Sequence, residues 1–303
     1  MGTDRARLLL ERYRLASPIR RDGTGIMWQA HDLRLTRDVA IKEVQPPYRL
    51  DMPDLEGTRR RALKEARSAA RLSHPGIITV HDLFEEHGRF WIVTEFLEGL
   101  TLKETMEHIG RVPIRWSAWL GFQLLAGIRH AHHCGVMHGD IQPENILLTG
   151  DRVVLTDFGI AALEEDAGSP NASQTIPLAR SAAYLAPERM RGEPATHASD
   201  LWSLGATMYM AVEGRPPYPG DGPSAMLGMA LTHEPDPPHN AGSLWPVIEG
   251  LLRREPRRRL TGEAVALLLA DILRREGIST ATPGRRPQTL PSSENLPRGI
   301  FML

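Results

Sequence analysis

The 303-residue chain is 41% hydrophobic and 24% charged, and its 36 basic and 37 acidic side chains leave a net charge of −1. That balance supplies no general drive toward nucleic acid or an anionic membrane. The single cysteine, Cys134, excludes an internal disulfide and a cysteine-built zinc site, and fits a reducing cytosol. In chain order, Leu8-Leu-Leu10 followed by Glu11 is too short an apolar run for a signal peptide. Val39-Ala-Ile-Lys-Glu-Val44 alternates like a strand, and Phe90 to Leu97 is rich in aromatic and β-branched residues. Between them, Thr58 to Leu72 lacks Gly and Pro and reads as helix, stopped by Ser73-His-Pro-Gly76.

Beyond Gly99 the pattern becomes mostly helical. Trp116, Leu120, Leu124 and Ile128 recur every four residues and predict one buried stripe. Residues 145–149 and 152–156 flank Gly150-Asp151, a two-residue hairpin turn. Residues 158–180 read as a long loop, and helices return at His197 to Glu213 and Gly262 to Arg275. From Thr280 the chain is rich in Pro, Ser, Thr and Arg and reads as a flexible tail. No apolar stretch approaches the ~18–20 residues of a membrane span; the best, Ala264 to Leu273, is interrupted by Asp271. The expectation is a soluble, cytoplasmic α+β chain with a small β-rich lobe over residues 13–97 and a larger helical lobe over 98–276. An N-terminal extension (1–12) and a tail (277–303) flank them, and a ligand site between the lobes is the default.

The chemistry concentrates in His138-Gly-Asp-Ile-Gln-Pro-Glu-Asn145, followed after the hairpin by Asp157-Phe-Gly159. Phosphoryl transfer needs carboxylate and amide oxygens for hard Mg²⁺ ions and a group that orients the attacking hydroxyl. Asp140, Asn145 and Asp157 can meet both needs in one cleft. Lys42, at the end of an Ala-Ile-Lys strand, can hold phosphates as a point charge, with Glu65 on the following helix to fix it. Lysine is scarce here, at three residues (Lys42, Lys64 and Lys103), which gives its retention at position 42 weight.

With Ala186-Pro-Glu188, Asp200-Leu-Trp-Ser-Leu-Gly205, Gly214-Arg-Pro-Pro-Tyr218 and Arg259 in series, the chain resembles the protein kinase superfamily, specifically the bacterial eukaryotic-like (Hanks-type) Ser/Thr kinases. The resemblance covers about Tyr13 to Glu276 and implies the bilobal protein kinase fold, with ATP and Mg²⁺ (or Mn²⁺) as cofactors and a protein hydroxyl as acceptor. It implies that Lys42 contacts the α- and β-phosphates with Glu65 as partner, that Asp140 orients and deprotonates the hydroxyl, and that Asn145 and Asp157 hold the metal. Gly23, Gly25, Met27, Ala40, Leu147 and the backbone of Glu95 and Leu97 would surround the nucleotide behind a small gatekeeper, Thr94. Ser181 would bond the catalytic Asp, Glu188 would pair with Arg259, and Ser173 and Thr175 resemble autophosphorylated loop sites. A phosphothreonine-binding (forkhead-associated) protein is a further implied partner, in bacterial signalling.

Five residues depart from the family pattern, one of them Met27 in place of the usual valine over the adenine ring. The first two glycines of G-x-G-x-x-G fall on Arg20 and Asp22, with only Gly25 kept at the third. Gly139 replaces the arginine that reads a phosphorylated loop, and Gln142 replaces the lysine that touches the γ-phosphate. These departures keep open a pseudokinase scaffold with weak or no phosphotransfer. His-Gly-Asp, which is similar to aminoglycoside phosphotransferases, keeps open a small-molecule kinase. The string His130-x-His132-His133-Cys134-x-x-x-His138 resembles a metal site but reads better as scattered structural histidines.

Overall fold

The computed structural model describes residues 8–22, 25–44, 63, 64, 66–86, 88–150, 152–158 and 182–278. Six strands form one antiparallel sheet: β1 (Leu8–Leu9), β2 (Tyr13–Asp22), β3 (Gly25–Asp32), β4 (Arg37–Val44), β5 (Val80–Glu86) and β6 (Arg89–Glu95), in spatial order β1-β2-β3-β4-β6-β5. Side chains alternate across a strand. Val39, Ile41, Trp91 and Val93 therefore enter one core with Leu9, Tyr13 and Leu15, while Ala40, Lys42, Ile92 and Thr94 share the opposite face. The sheet starts earlier than the sequence suggests: Leu8 pairs with Arg14, and Leu9 is buried, so residues 8–12 belong to the small lobe and not to an extension.

Of the helix expected over 58–72, residues 63, 64 and 66–69 are helical and residues 70 and 71 turn; residues 58–62 lie outside the described residues. The strand expected over 90–97 ends two residues sooner, at Glu95. The long loop, from 159 to 181, and the tail from 279 also lie outside them. Ile278, placed in the tail by sequence, is buried against the large lobe.

A small sheet of β7 (Leu100–Thr101), β8 (Ile146–Thr149) and β9 (Arg152–Leu155) lies below the first, and Ile77 bridges to Leu155 in parallel. The helices are α1 (Leu102–Ile109), α2 (Ile114–His133), the single turn α3 (Pro187–Met190), α4 (His197–Glu213), α5 (Pro223–Thr232), α6 (Trp245–Leu251) and α7 (Gly262–Arg275). A capping box between Thr101 and Glu104 opens α1. Trp116, Leu120, Leu124 and Ile128 are all buried along α2, as their spacing predicts. Two glycines let helices pack closely: at the α2–α4 contact a Cβ at Gly121 would lie 2.8 Å from the Met208 side chain, and at the α4–α6 contact one at Gly205 would lie 2.7 Å from Leu251. No helix of the described residues is long and apolar enough to cross a membrane.

Candidate active site

The site begins with strand register. Lys42 stands opposite Met27 on β3 and Ile92 on β6, and Ala40 stands opposite Thr94. These neighbours roof a cleft whose floor is Leu147 on β8 and whose back is Thr156, Asp157 and Phe158. Glu95 and Leu97 line the segment that joins the lobes. Met27, Ala40, Lys42, Thr94, Glu95, Leu97, Leu147 and Asp157, all singled out from sequence, thus face one cleft between the lobes.

Lys42 is 5% exposed, and its Nζ lies 3.1 Å from Asp157 Oδ1. A buried ammonium needs such a counter-charge. Glu65, the partner expected from sequence, lies outside the described residues, as do Gly23 and Ser181. Asp157 has φ 64°, the left-handed region that a side chain occupies at a cost and that clusters at functional sites. Thr94 is buried at the rear, its hydroxyl donating to the Glu95 carbonyl at 3.2 Å.

Asp140 is held by its own loop. Pro143–Asn145 form a single 3₁₀ turn, closed by the Asn145 amide on the Gln142 carbonyl at 2.9 Å. The turn brings two side-chain amides onto one carboxylate oxygen: Gln142 Nε2 donates to Asp140 Oδ2 at 2.7 Å, and Asn145 Nδ2 at 2.8 Å. The same Nδ2 reaches the Asp140 carbonyl at 2.9 Å. His138 accepts the Asp140 amide on Nδ1 at 3.2 Å and so donates from Nε2 to the Thr156 carbonyl at 2.9 Å. Its ring packs on Phe158 at 4.4 Å.

Below the loop sits Asp200, 1% exposed. It accepts the backbone amides of His138 and Gly139, each at 2.9 Å, and His132 Nε2 at 2.8 Å. Burial pushes this carboxyl up, but the His132 bond, the nearby His138 ring and the Gly139 amide outweigh it and hold it below the usual carboxylate range. Sequence reading placed Asp200 in a motif without assigning it this grip on the catalytic loop. The histidine string disperses: His130 stacks on His74, His132 binds Asp200, His133 binds the Arg129 carbonyl, and no metal-ligand cluster forms among the described residues.

The Ala186-Pro-Glu188 turn is fixed by Glu188 and Arg259, which pair through two bonds of 2.6 Å with both side chains almost fully buried. Burial raises the Glu188 carboxyl, yet the Arg259 and Ser199 bonds leave it lowered overall. In the glycine-rich hairpin, Asp22 pairs with Gly25, and a Cβ at Gly25 would collide with the Glu43 carbonyl oxygen. The retained glycine is therefore required by the neighbouring strand. Arg20, at the first-glycine position, reaches across the cleft mouth to Glu104 at 3.5 Å, a contact that sequence reading missed.

A β-rich lobe over a helical one, with a buried lysine, paired acidic loops and an Ala-Pro-Glu turn locked by arginine, defines a phosphotransferase cleft. The protein kinase domain model matches residues 21–270, and the chain belongs to the protein kinase family, as a bacterial-type serine/threonine kinase. It is similar to the serine/threonine-protein kinase PknA of Mycobacterium tuberculosis, with 36% identity over 298 residues, 93% of this chain and 67% of that one. It is also similar to the probable serine/threonine-protein kinase SCO3848 of Streptomyces coelicolor, 36% identical over 234 residues, 75% of this chain and 34% of that one. The serine/threonine-protein kinase PknB of Mycobacterium tuberculosis is 30% identical over 296 residues, 94% of this chain and 46% of that one.

Proposed function

We propose that this kinase transfers the γ-phosphate of ATP to serine or threonine hydroxyls of protein substrates through Asp140, Lys42, Asn145 and Asp157. The observation that carries the reading is Asp140 fixed by two amides beside a cleft that holds a buried Lys42 paired with Asp157. Asp140 takes the proton of the acceptor hydroxyl as that oxygen bonds to the γ-phosphorus and the bond to the bridging oxygen breaks, with ADP as leaving group. Lys42 supplies charge for the α- and β-phosphates, and Glu95 and Leu97 offer backbone groups to adenine behind Thr94.

The donor set suits a hard divalent cation. Asn145 commits Nδ2 to Asp140, so the atom it offers is an amide oxygen, and Asp157, which follows β9, offers a carboxylate. When bound there, Mg²⁺ or Mn²⁺ would neutralise charge on the phosphates. We place the chemistry in the cytoplasm, with Ser181 as a further loop contact to Asp140 and with Ser173 and Thr175 as candidate autophosphorylation sites. Such sites would recruit a phosphothreonine-binding protein.

Purified protein with Mg²⁺ and γ-labelled ATP is expected to label itself, and Asp140→Asn is expected to abolish labelling while the melting temperature holds. Labelling that survives in Asp140→Asn would overturn the assignment. Arg20 bridging to Glu104 favours one second reading, a scaffold whose cleft mouth is strapped shut. That reading predicts no labelling and no thermal shift at millimolar ATP.

A further inference from the structure

The residue at 142 separates two jobs that a lysine there would combine. A lysine would hold the Asp140 carboxylate and also bring a positive charge to the transferring phosphate. Gln142 is 5% exposed and extended (φ −156°, ψ 163°), and Pro143 fixes the turn that follows. That backbone points the amide at Asp140 Oδ2, where the 2.7 Å bond is the shorter of the two that meet there. Two planar amides on one oxygen set both the position and the plane of the carboxylate, and so the direction in which its other oxygen faces. Neither amide carries charge.

We propose that Gln142 is the positioning residue for Asp140, and that this kinase orients its base with a neutral donor and leaves phosphate neutralisation to Lys42 and the divalent cation. The inference rests on the kinase reading above. Its consequence is a division of labour: loss of the amide removes orientation without touching nucleotide binding, and a lysine restores orientation while relieving dependence on metal. A base displaced by an ångström lowers turnover by up to about a hundredfold, which makes a tenfold loss readily measurable.

The test uses the full chain and reads self-labelling rate against ATP and against free Mg²⁺, with melting temperature as the control for folding. Gln142→Met keeps the volume and removes the donor. It is expected to lower the rate at saturating ATP by roughly tenfold, with half-saturating ATP within about twofold of the parent. Gln142→Lys is expected to label severalfold faster than Gln142→Met at saturating ATP and to reduce the Mg²⁺ needed for half-maximal rate severalfold relative to the parent. A Gln142→Met rate within twofold of the parent overturns the positioning role, as does a rate lost only in step with melting temperature. An unchanged Mg²⁺ requirement in Gln142→Lys overturns the division of labour. No labelling by the parent protein rejects the kinase reading itself, a result distinct from either.

Discussion

Arg259→Met tests the most deeply buried ion pair in the large lobe. The arginine side chain is 1% exposed and that of Glu188 3%. Besides its two bonds to Glu188, Arg259 donates to the carbonyls of Arg253 at 2.7 Å, Ala198 at 2.9 Å and Arg254 at 3.1 Å, and it lies 5.0 Å from the Trp202 ring centre. Methionine fills much of the volume but leaves a buried carboxylate with the Ser199 hydroxyl at 2.8 Å and its own backbone amide in place of a guanidinium. Breaking one side of such a pair costs about 3–5 kcal/mol. A domain of this size loses ~2–4 °C of melting temperature per kcal/mol, so the midpoint should fall by roughly 6–20 °C in calorimetry. Replacing both partners, Glu188→Leu with Arg259→Met, removes the orphaned charge and should recover more than half of the loss. Because the folded protein holds Glu188 below its ordinary value of 4.5, its contribution is complete above that pH and fades as pH falls through the lowered value. The gap between parent and Arg259→Met should therefore hold from neutral pH down to about 4.5 and narrow below it, as Glu188 takes up a proton in the parent. A drop under about 2 °C, or a double variant no more stable than the single one, would refute this reasoning.

Asp200→Asn turns one acceptor oxygen into a donor facing backbone N–H groups; labelling should fall at least about tenfold, and the stability loss by urea titration should be about 1–3 kcal/mol. Gly205→Ala gains about 1 kcal/mol of helix propensity but forces a Cβ against Leu251, an overpacking cost of about 1–3 kcal/mol, so net destabilisation is expected in the same titration. Thr94→Met fills the rear of the cleft: large adenine-site inhibitors should lose about tenfold or more in competition binding, with half-saturating ATP changed by less than about threefold. Arg20→Gly breaks a pair in which both side chains are about one-third exposed, so its effect on unfolding free energy should stay within about 1 kcal/mol.

Strong local patterns were legible in the sequence. The alternation in Val39 to Val44 and the four-residue stripe from Trp116 to Ile128 reappear as β4 and the buried face of α2, and α4 and α7 match their expected limits. Strand β2 was not, for a physical reason: it is rich in arginine, contains Pro18 and carries two register shifts against β3, so its pairing is decided by its partner. Of the cleft-facing set, Lys42 and Asp157 were readable from their own chemistry, and the residues around the nucleotide came only from the resemblance. The Glu188–Arg259 pair spans 71 positions and came only from resemblance. Asp200's hold on the loop and the Gln142–Asp140 bond left no trace, since backbone donors have no sequence signature and a glutamine looks like a lost lysine.

The anchorage of the Asp140 loop through the amides of His138 and Gly139 has a consequence for what position 139 tolerates. Asp200 recognises main-chain N–H groups, so its two bonds do not depend on which side chain projects at 139. Gly139 sits at φ 81°, where any side chain adds strain of roughly 1 kcal/mol. Glycine leaves the backbone free of that cost while Asp200 holds both amides, so the position can change side chain at the expense of backbone strain alone.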